Sequence, residues 1–383
     1  MSTAGRHFGM DWLRIAAFGL LILYHVGMFY VPWGWHVKTA EPAEWATIPM
    51  LATNSWRIPL LFVVSGYASA ALFARSDGVG RFLRNRSARL LVPLVAGMAL
   101  IVAPQPWVEL QFKHEYTSSF GHFFLHDYFA FEPINGIMLP TWNHLWFVVY
   151  LWLYTIALGA LLLLPERWKA AARDTADRAL TDWRLLALPL VLLALRLWVG
   201  WPVPEETHDV VGDGYAHTLS FPLFVFGYLL RDAPGIWRGI RRWWAWAGWL
   251  AILSYGLVLL IEFFWRSEAP APEWADLVFA TARLVQMWGA IVALIGIADR
   301  YWNRDHPIRS TLTEAIFPFY IIHQTIIVLL GWYLLRLALP AAAEFAIILA
   351  ATVAGCCAFY MIGRNIPLLR PLIGLRACPS RQR

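Results

Sequence analysis

The chain is 383 residues long; 59% are hydrophobic, 16% aromatic and only 15% charged, and the mean hydropathy is +0.53. Soluble domains carry about a quarter charged residues and disorder requires low hydrophobicity, so a soluble globular enzyme and a disordered chain are both excluded. The formal charge of +6 would ordinarily point towards nucleic acid, and where those charges fall decides what they mean.

Ten apolar runs follow one another, at about 12–33, 49–74, 90–111, 144–164, 185–201, 216–230, 244–264, 277–298, 312–335 and 343–362. About 20 apolar residues cross the hydrocarbon of a bilayer, and unbroken runs are unlike the alternating strands of an outer-membrane barrel. The fold class read from them is all-α: a polytopic integral membrane protein of ten transmembrane helices, the fifth and sixth short. These fill residues 1–363, and 364–383 form a basic cytoplasmic tail. Of the 31 Lys and Arg, 23 fall on one side of the runs, four (Lys38, Lys113, Arg266, Arg336) on the other, and four (Arg14, Arg57, Arg196, Arg283) inside them. By the positive-inside rule this asymmetry predicts an N-in, C-in topology. The basic balance is therefore a topology signal, and no nucleic-acid partner is expected. Cys356, Cys357 and Cys378 offer no external pair, so no structural disulfide is expected.

An ionisable side chain within a span is costly unless it is paired or faces water, so each is a candidate for function. In the first run Arg14 and His25 are eleven residues apart, about 20° beyond three full turns, and share one helix face roughly 16 Å apart along the axis. That puts a fixed cation near the inner rim and a proton acceptor past mid-membrane, as an elongated ligand with an anionic head and a reactive tail requires. Imidazole titrates near neutrality, which makes His25 the natural general base; the plainer reading is a snorkelling arginine and a structural histidine. In the second run Arg57 lies about eight residues inside the span and needs a carboxylate, carbonyls or an anionic substrate group. Ser65 and Gly66 offer either a small hydroxyl or close helix packing. Five arginines follow in 75–89; Arg86 and Arg89, at i and i+3, form either a phosphate clamp at the inner mouth or part of the topology signal. His144 and Trp146 open the fourth run, where an interfacial aromatic belt is the plain account. Glu314 and His323 mark the ninth, with His323 at about the depth of His25. In the outer loop over 112–143, His122 and His126 with His114 upstream have weak ligand spacing, and no metal site is expected.

Together and in this order, Arg14-x10-His25, Phe62-x-x-Ser65-Gly66-Tyr67, Arg86-x-x-Arg89 ahead of a Leu/Val-Pro segment, and the ten runs resemble the membrane-bound acyltransferase-3 family over essentially the whole chain. Further motifs resemble its branch associated with succinylation of osmoregulated periplasmic glucans. These are Trp35-His36-Val37 with Ala40-Glu41-Pro42 and Trp45, Arg57 ahead of the Ser-Gly-Tyr run, His144-Leu-Trp146-Phe, and Ile366-Pro-Leu-Leu. The chain departs from that branch at His323-Gln324, where two consecutive histidines are expected.

The resemblance implies acyl transfer in the bacterial inner membrane from a cytoplasmic acyl-CoA, succinyl-CoA or acetyl-CoA, to a hydroxyl of a periplasmic glucan or of another surface glycan. It implies His25 as the catalytic residue and Arg14, Arg86 and Arg89 around the CoA, with Ser65 and Tyr67 as donor-side candidates for holding the oxyanion. Trp35, His36, His144, Trp146 and His323 fall to the substrate side, with Arg57 as partner for the free carboxylate of a succinyl group. No permanently bound cofactor is expected, and the oligomeric state is not legible. The alternative is a transporter or flippase whose intramembrane His and Arg form a proton relay and an anion site, against which stands the lack of an evident inverted repeat.

Overall fold

A backbone inside lipid must satisfy its own N–H and C=O groups, and helices do so within one segment. The computed structural model, which describes residues 7–200, 209–265 and 271–377, is accordingly predominantly helical. Arg6, Trp201, Arg266, Cys378 and the remainder of the predicted tail lie outside the described residues. The helices are α1 (Phe8–Gly27), α2 (Thr47–Asn54), α3 (Arg57–Phe73), α4 (Val79–Gly97), α5 (Pro104–Phe112), α6 (Phe120–His122), α7 (Trp146–Leu162) and α8 (Glu166–Ala179). They continue as α9 (Leu188–Gly200), α10 (Gly214–Leu230), α11 (Pro234–Trp265), α12 (Glu273–Tyr301), α13 (Pro307–Leu334), α14 (Ala341–Asn365) and α15 (Leu369–Leu372). Among the described residues eight segments are long and apolar enough to cross a membrane. The chain is an all-α, multi-pass membrane protein. The fifth and sixth predicted runs are the two that fall short, as α9 and as Ala216–Leu230 within α10.

Three predicted spans differ in detail. The first helix ends at Gly27, and 28–43 form an irregular loop closed by Thr39 N–H to Phe29 O and Ala43 N–H to Tyr30 O. The second run breaks between α2 and α3, so Arg57 is the first residue of α3 and not a side chain deep within one helix. The third helix starts at Val79, eleven residues before its apolar run, then passes through a π-helical turn, Met98–Val102, into α5. Hydropathy marks only the part of a helix that lipid covers; a helix continues into water because its backbone remains internally bonded. The same reasoning makes a helix, α8, of the charged stretch after the fourth run, where Glu166 pairs with Lys169 at 2.8 Å.

The chain divides into two compact units, one of Met1–Ala17, Ile48–Leu83 and Leu153–Ser310, the other of Phe18–Thr47, Arg84–Trp152 and Thr311–Arg383. In the first, α3 and α10 touch backbone to backbone: a Cβ on Gly66 would strike Phe224 O, and one on Gly227 would strike Val63 O. Small residues permit this approach, and in lipid such packing is a main source of helix association. The packing alternative for Gly66 is therefore the one realised. In the same unit Trp288, 1% exposed, donates its indole N–H to Leu185 O at 2.7 Å. Arg309, also buried, binds Asp11 at 2.6 Å and Asp305 at 2.8 Å.

The second unit is built on Val26 of α1, Phe29 just beyond it, Ile327 and Val328 of α13 and Ile348 of α14, all fully or nearly fully buried. Its outer loop contains a two-stranded hairpin, β1 (Pro133–Ile134) against β2 (Ile137–Met138), paired antiparallel in register Ile134↔Ile137. Asn135 and Gly136 turn it with φ of 46° and 83°, both in the left-handed region that a two-residue hairpin demands. After α14 the described part of the tail is packed. Ile373 and Leu375 join Ala315 and Tyr360 in a small core, and buried Arg370 donates to Arg364 O and Arg376 O at 2.7 Å each.

Candidate active site

The second unit gathers five of the residues singled out in the sequence: His25, Trp35, His36, His144 and His323. α1 is unbroken from Phe8 to Gly27, so Arg14 and His25 do occupy one helix at the expected spacing. His25 is half-buried near its C-terminal end, and His25 Nδ1 lies 2.8 Å from His323 Nε2 on α13. The two rings are coplanar within 4°, and the Trp35 indole lies 5.4 Å from the His25 ring. His323 is fully buried; its Nδ1 faces Tyr320 O at 2.8 Å and Phe319 O at 3.2 Å. His144 stands edge-on to His323, 5.1 Å between centroids, and donates through Nε2 to Tyr320 O at 3.0 Å and Ile321 O at 3.1 Å. The Tyr320 hydroxyl donates back to His144 O. Asn143, at φ 41°, makes the turn that swings His144 inwards ahead of α7.

A second polar chain runs beside these rings. His36 Nδ1 donates to Glu109 Oε2 at 2.5 Å, and Lys113 Nζ donates to Glu109 Oε1 at 2.6 Å. Gln324 uses both N–H groups of its amide, one on His36 Nε2 at 3.0 Å and one on Gln105 Oε1 at 3.1 Å. Gln105 Oε1 also accepts from Asn143 Nδ2 at 3.1 Å, while Gln105 Nε2 donates to Thr325 Oγ1 at 2.7 Å, which donates to Ile101 O at 2.8 Å. The amide donors of Gln105, Asn143 and Gln324 named here each meet an acceptor, which favours a well-ordered polar network in a low dielectric. A neutral imidazole has one N–H, so a histidine in place of Gln324 would supply one of these two donations. The loop over 28–43 that carries Trp35 and His36 is tied down by Lys38, whose ammonium donates to Met28 O at 2.7 Å and Val31 O at 2.6 Å. Burial pulls that ammonium down to about 8.

The remaining predicted residues are placed elsewhere. Trp146 packs edge-on against Tyr150, 5.1 Å between centroids, with its neighbour His144 turned towards α13. Arg86 and Arg89 lie in the second unit on α4, so their i, i+3 spacing does put them on one helical face. Arg14, Arg57, Ser65 and Tyr67 belong to the first unit. There Arg57 and Arg283, both intramembrane arginines of the sequence reading, converge on Asn54: Arg57 Nη1 at 3.3 Å from its carbonyl, Arg283 Nη2 at 3.5 Å from Oδ1. Ser65 is buried in α3, and its carbonyl accepts from Ser69 Oγ at 2.8 Å. In the outer loop His122 and His126 are ring neighbours at 4.8 Å; among the described residues no three His, Cys, Asp or Glu are grouped to hold a metal.

Gln105, Glu109, Asn143 and Tyr320 were not singled out from the sequence. Two of them had a signal: Gln105 and Glu109 are polar, four apart, and sit inside an apolar run, so they share a face that lipid would penalise.

Two imidazoles, one half-buried and one fully buried, thus share a hydrogen bond within a helical membrane unit. The family described as Acyltransferase domain matches residues 7–361. The chain belongs to this acyltransferase family, as its motifs indicated. Curated proteins similar to it include Glucans biosynthesis protein C of Salmonella gallinarum, 27% identical over 244 residues that make up 61% of this chain and 60% of that protein. The proteins of the same name from Salmonella schwarzengrund and Salmonella paratyphi B are each 26% identical over the same shares. The chain thus spans about 60% of the length of the curated relatives it matches. No solved structure matches.

Proposed function

We propose that the protein is an O-acyltransferase of the bacterial inner membrane that moves an acyl group, succinyl in the first place, from a cytoplasmic acyl-CoA to a hydroxyl of a periplasmic glucan. The observation that carries this reading is the His25 imidazole, held by a second imidazole in a buried site of a chain that belongs to an acyltransferase family. The reading takes the chain as ten-spanning and N-in, C-in, with short fifth and sixth spans and a cytoplasmic tail, because the positive charges alternate in that way.

His25 takes the proton of the acceptor hydroxyl as its oxygen attacks the thioester carbonyl. The tetrahedral intermediate collapses with cleavage of the C–S bond, and the imidazolium returns the proton to the CoA thiolate. Arg86 and Arg89 meet the donor's phosphates, and Arg14, eleven residues before His25 on α1, is a further cation for the anionic head. Incubating the purified protein in liposomes with several acyl-CoAs and a periplasmic glucan tests the reaction. The expected result is a mass increment on the glucan matched by release of free thiol. Counterflow of unmodified glucan without thiol release would overturn it.

Two variants test the assigned cations. A charge-assisted hydrogen bond contributes about 1.5–3 kcal/mol, so the double variant Arg86→Ala, Arg89→Ala raises KM for acyl-CoA by about ten- to a hundredfold or more. An acyl-pantetheine, which lacks the nucleotide, shows no such change. Arg57, which shares Asn54 with Arg283, is proposed to select donors whose acyl group ends in a carboxylate. Arg57→Leu then lowers succinyl transfer about tenfold more than acetyl transfer; equal losses of both count against this selectivity.

A further inference from the structure

We infer that His323 is a positioning residue that holds His25 in a single tautomer, the one whose lone pair is on Nε2, so that Nε2 is the nitrogen that receives the acceptor's proton. The inference rests on the reading of His25 as general base and extends it to a residue 298 positions away in the chain.

The assignment follows from which atoms can only accept. His323 Nδ1 lies 2.8 Å from Tyr320 O and 3.2 Å from Phe319 O, and a carbonyl oxygen donates nothing, so Nδ1 carries a proton. A neutral imidazole has one N–H; His323 Nε2 is then an acceptor, and the atom facing it at 2.8 Å, His25 Nδ1, donates. In His25, likewise neutral before reaction, the lone pair falls on Nε2.

The competing assignment makes His323 a cation that donates through both nitrogens. It would place an uncompensated charge on a side chain with no exposed surface, bounded by the His144 ring edge, Tyr320, the two carbonyls and His25. Burying such a charge without a counter-ion is far more costly than burying a neutral ring. His144 supports the neutral arrangement. Its Nε2–H is spent on Tyr320 O and Ile321 O, and its buried Nδ1 has no hydrogen-bond partner, so a second proton there would be a donor without an acceptor. Tyr320 O, with two lone pairs, accepts from both histidines.

In the reaction the acceptor proton goes to His25 Nε2, and the resulting imidazolium keeps donating its Nδ1–H to His323 Nε2. On collapse of the intermediate the Nε2 proton leaves with the CoA thiolate. The His323 proton stays on Nδ1 throughout, so the residue orients the base and stabilises its charged form without itself exchanging a proton.

The test compares His323→Leu, which removes the acceptor, with His323→Gln, which keeps one, against His25→Ala as reference, at saturating donor and acceptor. His323→Leu is expected to lower kcat by about a hundredfold or more while KM for acyl-CoA stays within about twofold. His323→Gln is expected to remain within about tenfold of the parent kcat. In the spectrum of protein labelled with [15N]histidine, with the His25 signals assigned by their loss in His25→Ala, the parent shows a protonated Nδ1 and a bare Nε2. Parent kcat in His323→Leu with His25→Ala inactive would overturn the positioning role and leave His25 as base; an active His25→Ala removes both. Equal losses in the Gln and Leu variants also overturn it. Should His323→Leu fail to fold, the parent spectrum decides, and a proton on His25 Nε2 ends the inference.

Discussion

Replacing His25 with alanine lowers acyl transfer by about 10²–10⁴-fold or more, the usual contribution of a positioned general base. Without the imidazole the acceptor hydroxyl, a very weak acid, loses the base assigned to take its proton as it attacks, and the leaving thiolate loses the acid assigned to return one. The side chain is half-buried, and loss of its hydrogen bond to His323 costs on the order of 1 kcal/mol of stability. Mass increments on the glucan and thiol release measure the first effect; yield and melting temperature in detergent measure the second. Activity should vanish while the folded protein persists. A variant that transfers acyl groups at the parent rate would dispose of His25 as the base.

The largest effect on folding is expected at the contact of α3 with α10. A Cβ at Gly227 runs into the carbonyl of Val63, and one at Gly66 into the carbonyl of Phe224; neither obstacle is a side chain that can swing aside. To admit a methyl group the helices must separate, and in lipid no hydrophobic force pulls them back, since the chain's own apolar groups and lipid tails are alike. Gly227→Ala therefore destabilises by about 1–3 kcal/mol, and Gly227→Leu by more. Gly256, where a Cβ meets nothing within 4 Å, is the control: Gly256→Ala is neutral, or stabilising by up to about 1 kcal/mol. Unfolding midpoints in a denaturing-detergent titration separate the two. If both alanine variants unfold like the parent, the close approach does not hold these helices together.

Part of the candidate site is legible in the sequence. Arg14 and His25 are related there because eleven residues of helix return to nearly the same face, and α1 is unbroken across them. His323 was found because an imidazole inside an apolar run is unusual. Its bond to His25 was not, since nothing local relates positions in α1 and α13. Gln324 read only as a departure from the two histidines of the resembling branch, yet its amide supplies two donations, to His36 and Gln105. Arg57 lies inside the candidate span Glu44–Phe73, as the apolar run indicated, but at the start of its second helix. The run is continuous in composition, whereas the helix stops at Asn54 and restarts at Arg57, a break that hydropathy does not register.

By itself the sequence determined that this is a multi-pass helical membrane protein, because low charge and long apolar runs leave a bilayer as the only solvent and lipid leaves helix as the structure for a spanning segment. Its Lys and Arg cluster in particular connections between the apolar runs, a pattern that the net value of +6 conceals. Tertiary structure alone decided which polar groups face one another: His25 with His323, His36 with Glu109 and Gln324, and Arg57 with Arg283 over Asn54. The physical reason is that helix periodicity is local, whereas the partner of a buried donor is whichever acceptor a neighbouring helix brings within about 3 Å.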